Sequence, residues 1–160
     1  MNYSNYTAIH NKVKSEELGD IKAIRIFKLV GLEEKITFEV LKEVLKEDVD
    51  FAIKVLGVPT KILSKTVNYE KSIIILEHTN KKTTHISINL YNKEIFGNFK
   101  IEVVGSKGIL EYDSAKNSPI VLSDGNNKNI TSIENLEKIN YDEKVYSVLE
   151  DIFKSLKLEV

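Results

Sequence analysis

Few side chains in this sequence could do chemistry, and the most suggestive group is Glu43, Glu47 and Asp50. On a helix their i, i+4 and i, i+3 spacing places all three on one face, where carboxylates could receive a polyol's hydroxyls or a cation. Lys42, Lys46 and Lys54 interleave with them. The plainer expectation is therefore a solvated helix face on which Glu47 is ionised and replaceable. Asp50 has a further structural use, bonding neighbouring backbone or a strand end. A second polar group lies on a strand, where alternation sets His85, Ser87 and Asn89 opposite Ile86, Ile88 and Leu90. With Tyr69 and Tyr91 nearby, that face could line a ligand site or be the solvent side of a two-layer domain.

Other chemistries are poorly supplied. The chain has no cysteine, hence no thiol nucleophile, disulfide or thiolate zinc site, and its three histidines form no H-x-x-x-H pair. The one glycine cluster, Gly105-Ser106-Lys107-Gly108, falls between two strands and reads as a hairpin turn rather than a phosphate cradle. With 23 basic and 24 acidic residues the net charge is −1, so no global field steers the chain to nucleic acid or an anionic membrane. Arg25 is the only arginine, which leaves little for bidentate reading of phosphates or guanine edges. An AT-rich coding sequence accounts for that bias. No window approaches the ~20 apolar residues of a membrane span, and the first residues lack the basic and apolar regions of a secretory signal. The expectation is a cytoplasmic protein without metal, cofactor, nucleic-acid or membrane partner.

The 160 residues, 42% hydrophobic and 29% charged, suit one globular domain spanning 1–160. Tyr6, Ile9 and Val13 recur at helical spacing between Tyr3 and Leu18, and Gly19 stops that helix. Ile21 to Leu29 reads as a half-buried strand. Thr37 can cap a helix carrying Leu41, Val44, Leu45, Val49, Ala52, Ile53 and Leu56, ended by Gly57 and Pro59. The period then becomes alternating. Lys61–Asn68, Ser72–His78, Thr83–Tyr91, Phe99–Val104, Gly108–Tyr112 and a short run Pro119–Ser123 read as meander strands, with a turn at Asp124-Gly125-Asn126-Asn127. Asp142 opens a last helix with Val145, Leu149, Ile152 and Leu156 on one side. The sum is an α+β two-layer sandwich, a mostly antiparallel five- to six-stranded sheet with helices on one face. Ile73/Ile75, Ile86/Ile88 and Ile101/Val103 offer more aliphatic surface than one helical layer would cover.

Three stretches in this order resemble the C-terminal domain of the Gfo/Idh/MocA oxidoreductases. Val13 to Ile21 is similar to the family's join between a helix and the first strand of that domain. Glu47 to Pro59 resembles its His-x-x-Asp helix ending in Leu-Gly-x-Pro, with Asp50, Gly57 and Pro59 in register. Ile101 to Tyr112 resembles its strand-turn-strand signature. The resemblance implies a substrate and oligomerisation domain, and a sheet face that often serves subunit association. Two departures matter. The family's dinucleotide-binding domain has no counterpart in these residues, and its active-site histidine falls on Glu47, with the preceding acidic residue on Glu43. Histidine shuttles protons near neutrality, whereas an exposed glutamate stays ionised.

These readings lead to a stand-alone relative of that domain, without hydride transfer of its own, acting as a homo-oligomerisation or small-molecule-binding module. The alternative is the substrate-binding subunit of a split NAD(P)-dependent sugar or polyol dehydrogenase whose nucleotide-binding domain is a separate chain. In either case the sequence has no glycine fingerprint after a strand, and we expect calorimetric titration of this chain with NAD(H) or NADP(H) to give no low-micromolar binding. A dissociation constant in that range for either cofactor would contradict the expectation.

Overall fold

A computed structural model describes residues 4–93, 97–116, 120–123, 128–131 and 141–157. Helix α1 (Ser4–Lys14) precedes strand β1 (Ile21–Gly31) and the long helix α2 (Phe38–Leu56). Strands β2 (Lys61–Val67), β3 (Lys71–Glu77), β4 (Thr83–Tyr91), β5 (Asn98–Gly105), β6 (Ile109–Asp113), β7 (Ile120–Ser123) and β8 (Lys128–Thr131) follow, and α3 (Glu143–Lys157) ends the series. The expected caps hold α2. Thr37 Oγ1 accepts the Val40 N–H at 3.4 Å, and Gly57, at φ +83°, donates its N–H to Ile53 O at 2.8 Å.

The strands form one sheet in the order β2-β3-β4-β1-β5-β6-β7-β8. Every pairing is antiparallel except β1 with β4, which α2 and the β2–β3 hairpin separate in sequence by a crossover. The sheet is wider than five or six strands because β1 inserts into its centre and β8 extends its edge. Pro119 and the turn expected at Asp124-Gly125-Asn126-Asn127 lie outside the described residues.

The helices cover one face. Ile24, Ile26, Ile74, Leu76, Ile86, Ile88, Leu90, Ile101 and Val103 meet Leu41, Leu45, Val49 and Ala52 of α2 and Val145, Leu149, Ile152 and Leu156 of α3 in a single buried core. Only Ile73 and Ile75 of the expected surplus aliphatics therefore point to the other side. The 105–108 hairpin closes with Gly105 N–H on Gly108 O at 2.9 Å. It also locks onto the α1–β1 turn, because Ser106 N–H reaches Asp20 O and Lys107 N–H reaches Leu18 O, both at 2.9 Å. The amides of Gly105, Ser106 and Lys107 are thus occupied by the chain's own carbonyls. Any Cβ at Gly105 would run into Leu18 O, which explains the glycine.

At the meeting point of α1, α2 and the sheet sits a buried ion pair. Lys28 of β1 and Asp48 of α2 have no exposed side-chain surface, and Lys28 Nζ lies 2.6 Å from Asp48 Oδ1 and 3.0 Å from Val44 O. Tyr6 of α1 donates its hydroxyl to the same Asp48 oxygen. The ammonium also lies 5.3 Å from the Phe99 ring centre and 5.8 Å from that of Tyr6. Asp48 Oδ2 accepts no hydrogen bond among the described residues. A buried pair missing one partner is costly, whereas a neutral replacement of both is tolerated. Lys28→Met should therefore cost about 3–5 kcal/mol in urea unfolding, and Lys28→Met/Asp48→Asn, which keeps an acceptor for Tyr6, should recover about half of that or more. Equal losses in the single and double variants would show that the pair's charge is not what the site accommodates.

Candidate functional site

Four of the carboxylates on helix α2, those of Glu43, Glu47, Asp48 and Asp50, have different surroundings. Glu43 is exposed and holds Lys46 Nζ at 2.8 Å through both oxygens. Asp50 is buried and pairs with Lys54 one turn on, at 2.6 Å. Glu47 is buried too, only 8% exposed, and lies in the electrostatic reach of Lys28, Asp48 and Asp50. The solvated face expected from the interleaved lysines is thus correct for Glu43 alone. Glu47 and Asp50 depart from it because α1 covers this side of α2, bringing Tyr6 against Phe51 at 5.1 Å between ring centres and setting His10 near Asp50 and Lys54.

Burial governs the electrostatics. It pushes the Glu47 carboxyl above the ordinary glutamate value, with the Lys28 ammonium pulling the other way and the Asp48 and Asp50 charges adding to the rise. Burial likewise raises Asp48 against the pull of Lys28 and the Tyr6 hydroxyl. Burial, then the Asp48 charge, lifts Tyr6 well above the usual phenol range, so its hydroxyl remains a donor. His10 is shifted down by burial and then by Lys14 and Lys54. Lys28 and Asp48 are sealed from solvent and fix geometry. Glu47, at the edge of the cluster, keeps a little of its surface in water. No trio of histidine, aspartate and glutamate suited to a metal ion occurs among the described residues.

His85 is on the opposite side of the sheet from these carboxylates, so the four candidate residues do not make one site. Cross-strand pairing places it in an outward row that reads Leu63, Ile75, His85, Arg25, Glu102 and Glu111 across β2, β3, β4, β1, β5 and β6. The neighbouring row reads Lys65, Ile73, Ser87, Phe27, Lys100 and Asp113. Arg25 Nη1 and Glu102 Oε1 pair at 2.5 Å and Lys100 and Asp113 at 3.4 Å, around a groove of about 500 Å³ that includes His85 and Phe27 in its wall. Tyr69 does not join this face; it packs against the core, edge-on to Phe38 at 6.1 Å.

The sequence reading does not single out Lys28, Asp48 and Tyr6, although a signal exists. Lys28 continues the Ile24, Ile26 phase of β1, and Asp48 falls between Leu45 and Ala52 on the core stripe of α2. Opposite charges at core-phase positions of two elements at once indicate a buried pair. His78, in sequence only the end of a strand, is buried, with Nδ1 2.7 Å from Gly57 O and Nε2 3.0 Å from Thr84 Oγ1, and it ties the end of α2 to β4.

No family model and no curated protein matches the sequence. Solved structures do match the fold. UDP-N-acetylglucosamine 3-dehydrogenase from Acidithiobacillus ferrooxidans is similar at a TM-score of 0.77 and 8% identity, over 96% of this chain and 60% of that one. An oxidoreductase from Agrobacterium radiobacter, in complex with NAD+, L-tartaric acid and magnesium, is similar at 0.60 and 13%, over 94% and 49%. An inositol dehydrogenase homologue from Azotobacter vinelandii, complexed with NADH and myo-inositol, gives 0.64 and 12%, over 81% and 39%. The chain thus spans roughly half the length of these proteins. Over a part of their length consistent with the C-terminal domain, the fold is that of the Gfo/Idh/MocA-type oxidoreductases.

Proposed function

We propose that this chain is an oligomerisation and small-molecule-binding domain of oxidoreductase fold, joined to further copies through its open sheet face and without hydride transfer of its own. The observation that carries this reading is where the apolar surface lies. Of the large hydrophobic residues left exposed, Phe27, Leu63, Val67, Ile73 and Ile109 all stand on the outward rows of the sheet, with Ile73 58% and Val67 57% exposed. A sheet covered on one side only, with branched aliphatics and an aromatic on the other, fits a surface that associates. No helix among the described residues is long and apolar enough to cross a membrane.

A second reading, the substrate-side subunit of a split NAD(P)-dependent sugar or polyol dehydrogenase, is favoured by one observation. Glu47 stands where the resembled family has its active-site histidine, and burial raises its pKa toward the range in which a carboxyl can act as acid or base. Two of the neighbours were solved with a dinucleotide together with a polyhydroxylated ligand, myo-inositol or L-tartaric acid, which sets the substrate class this reading would take. On it, the nucleotide arrives with a separate chain.

The two readings have separate tests. Light scattering at tens of micromolar should give the mass of a dimer or larger assembly, and a monomeric mass overturns the first. For the second, a carboxyl raised in the folded state stabilises the fold most below its unfolded value, and that contribution is lost as pH rises through the folded value. Glu47→Gln lacks this loss. Its stability relative to the natural chain should therefore rise as the pH is raised from about 4 to about 8. NMR titration of Glu47 should give a midpoint above ~4.3, and a midpoint at that ordinary value would remove the proton-exchanging group.

A further inference from the structure

From the order of charge across the open sheet face we propose that the groove at its centre binds an aromatic α-amino acid as its zwitterion. The proposal rests on the small-molecule-binding part of the reading above, not on the association of copies. At about 500 Å³ the groove is within the size range of pockets that take small molecules. Leu63, Val67 and Ile109, which carry much of the exposed apolar surface, stand outside its lining. The hollow and that apolar surface are therefore neighbouring parts of one face.

Two rows of side chains build the groove. The first runs His85, Arg25, Glu102, Glu111 across β4, β1, β5 and β6, bases on one side and acids on the other. An α-amino acid carries its carboxylate and ammonium on one carbon. It matches this row when the carboxylate turns to Arg25 and His85 and the ammonium to Glu102 and Glu111. Arg25 is prepared for the carboxylate. Its Nη1 holds Glu102 at 2.5 Å, which orients the guanidinium, yet 65% of its side-chain surface stays in water and donors remain for a second carboxylate. Glu111 stands directly opposite Glu102, and like charges so placed cost stability. Glu111 has no ion-pair partner among the described residues, so a ligand ammonium at this end relieves a repulsion that the chain leaves in place. The second row supplies a place for the side chain. Phe27, partly exposed, lies two residues along β1 from Arg25, with Ser87 beside it and Ile73 beyond. A ring one carbon away from the charged centre stacks there on Phe27 and extends toward Ile73. Other ligand classes fit less well. A phosphate ester would meet Glu102 and Glu111, a simple amine would meet Arg25, and an uncharged ligand would leave the polarity of the row unmatched.

NMR titration of the whole chain with L-phenylalanine tests the site. The probe should bind with a dissociation constant of about 1 mM or tighter and shift the amide signals around Arg25, Phe27, His85 and Glu102. 3-Phenylpropionate lacks the ammonium and phenethylamine lacks the carboxylate, so each should bind at least about tenfold more weakly. Arg25→Met and Glu111→Gln, both at exposed positions and checked for folding by circular dichroism, separate the two ends. Arg25→Met should weaken L-phenylalanine and 3-phenylpropionate alike, whereas Glu111→Gln should weaken L-phenylalanine and leave 3-phenylpropionate as tight as before or tighter. No binding of L-phenylalanine at ~10 mM, or shifts confined to another face, overturns the proposal. Equal affinity for the three probes overturns it too, since the groove is then only an apolar surface. A monomeric mass by light scattering with L-phenylalanine bound in the groove removes the association of copies and leaves this site standing.

Discussion

The pair Lys28–Asp48 sets terms for everything around it. An ammonium and a carboxylate fully withdrawn from water are tolerable only if they meet at hydrogen-bond distance. Meeting that condition fixes how far α2 stands from β1, which way α2 is rotated, and where Tyr6 of α1 must reach to donate to Asp48. Apolar packing alone would leave these elements freer to slide, since burial is indifferent to a shift of a fraction of a turn. A buried donor and acceptor are not. Three elements from the first third of the chain are thereby registered on one atom, Asp48 Oδ1.

The same arrangement shapes the candidate site without belonging to its chemistry. Glu47 follows Asp48's anchoring because adjacent residues on a helix cannot be positioned independently. With Asp48 aimed into the core, Glu47 is carried to the margin where α1 overlies α2, and it loses most of its water there. Glu43, one turn earlier, escapes this cover and remains an ordinary surface group held by Lys46. The difference between two glutamates on one helix comes from what lies above each of them.

Much of this architecture was legible in the sequence, for identifiable reasons. The Thr37 cap, the Gly57 stop, the 105–108 hairpin and the alternation of β3 and β4 are local signals, and local chemistry decides them. The α+β class followed from the change of period after Thr60. What escaped was non-local. That β1 would lie between β4 and β5 depends on pairing between distant segments, and the burial of Glu47 depends on α1 folding over α2, which no i, i+4 count contains. Lys28 and Asp48 were hidden by the habit of assigning charged residues to solvent even when their phase says core. The candidate carboxylates were found, and their environments were not.

The central place of β1 has a consequence for how the molecule comes into being. Both its neighbours in the sheet, β4 and β5, are encoded later than it is, and one of them lies beyond the whole β2–β3–β4 meander. When β1 leaves the ribosome it therefore has two unpaired edges and nothing to pair with. The hairpins that will flank it can close from local contacts, whereas β1 must wait for two long loops to close around it. Lys28 travels on that strand, so its charge leaves water only when both halves of the sheet and α2 have arrived. The strand made first is thus one whose partners in the sheet are all made later.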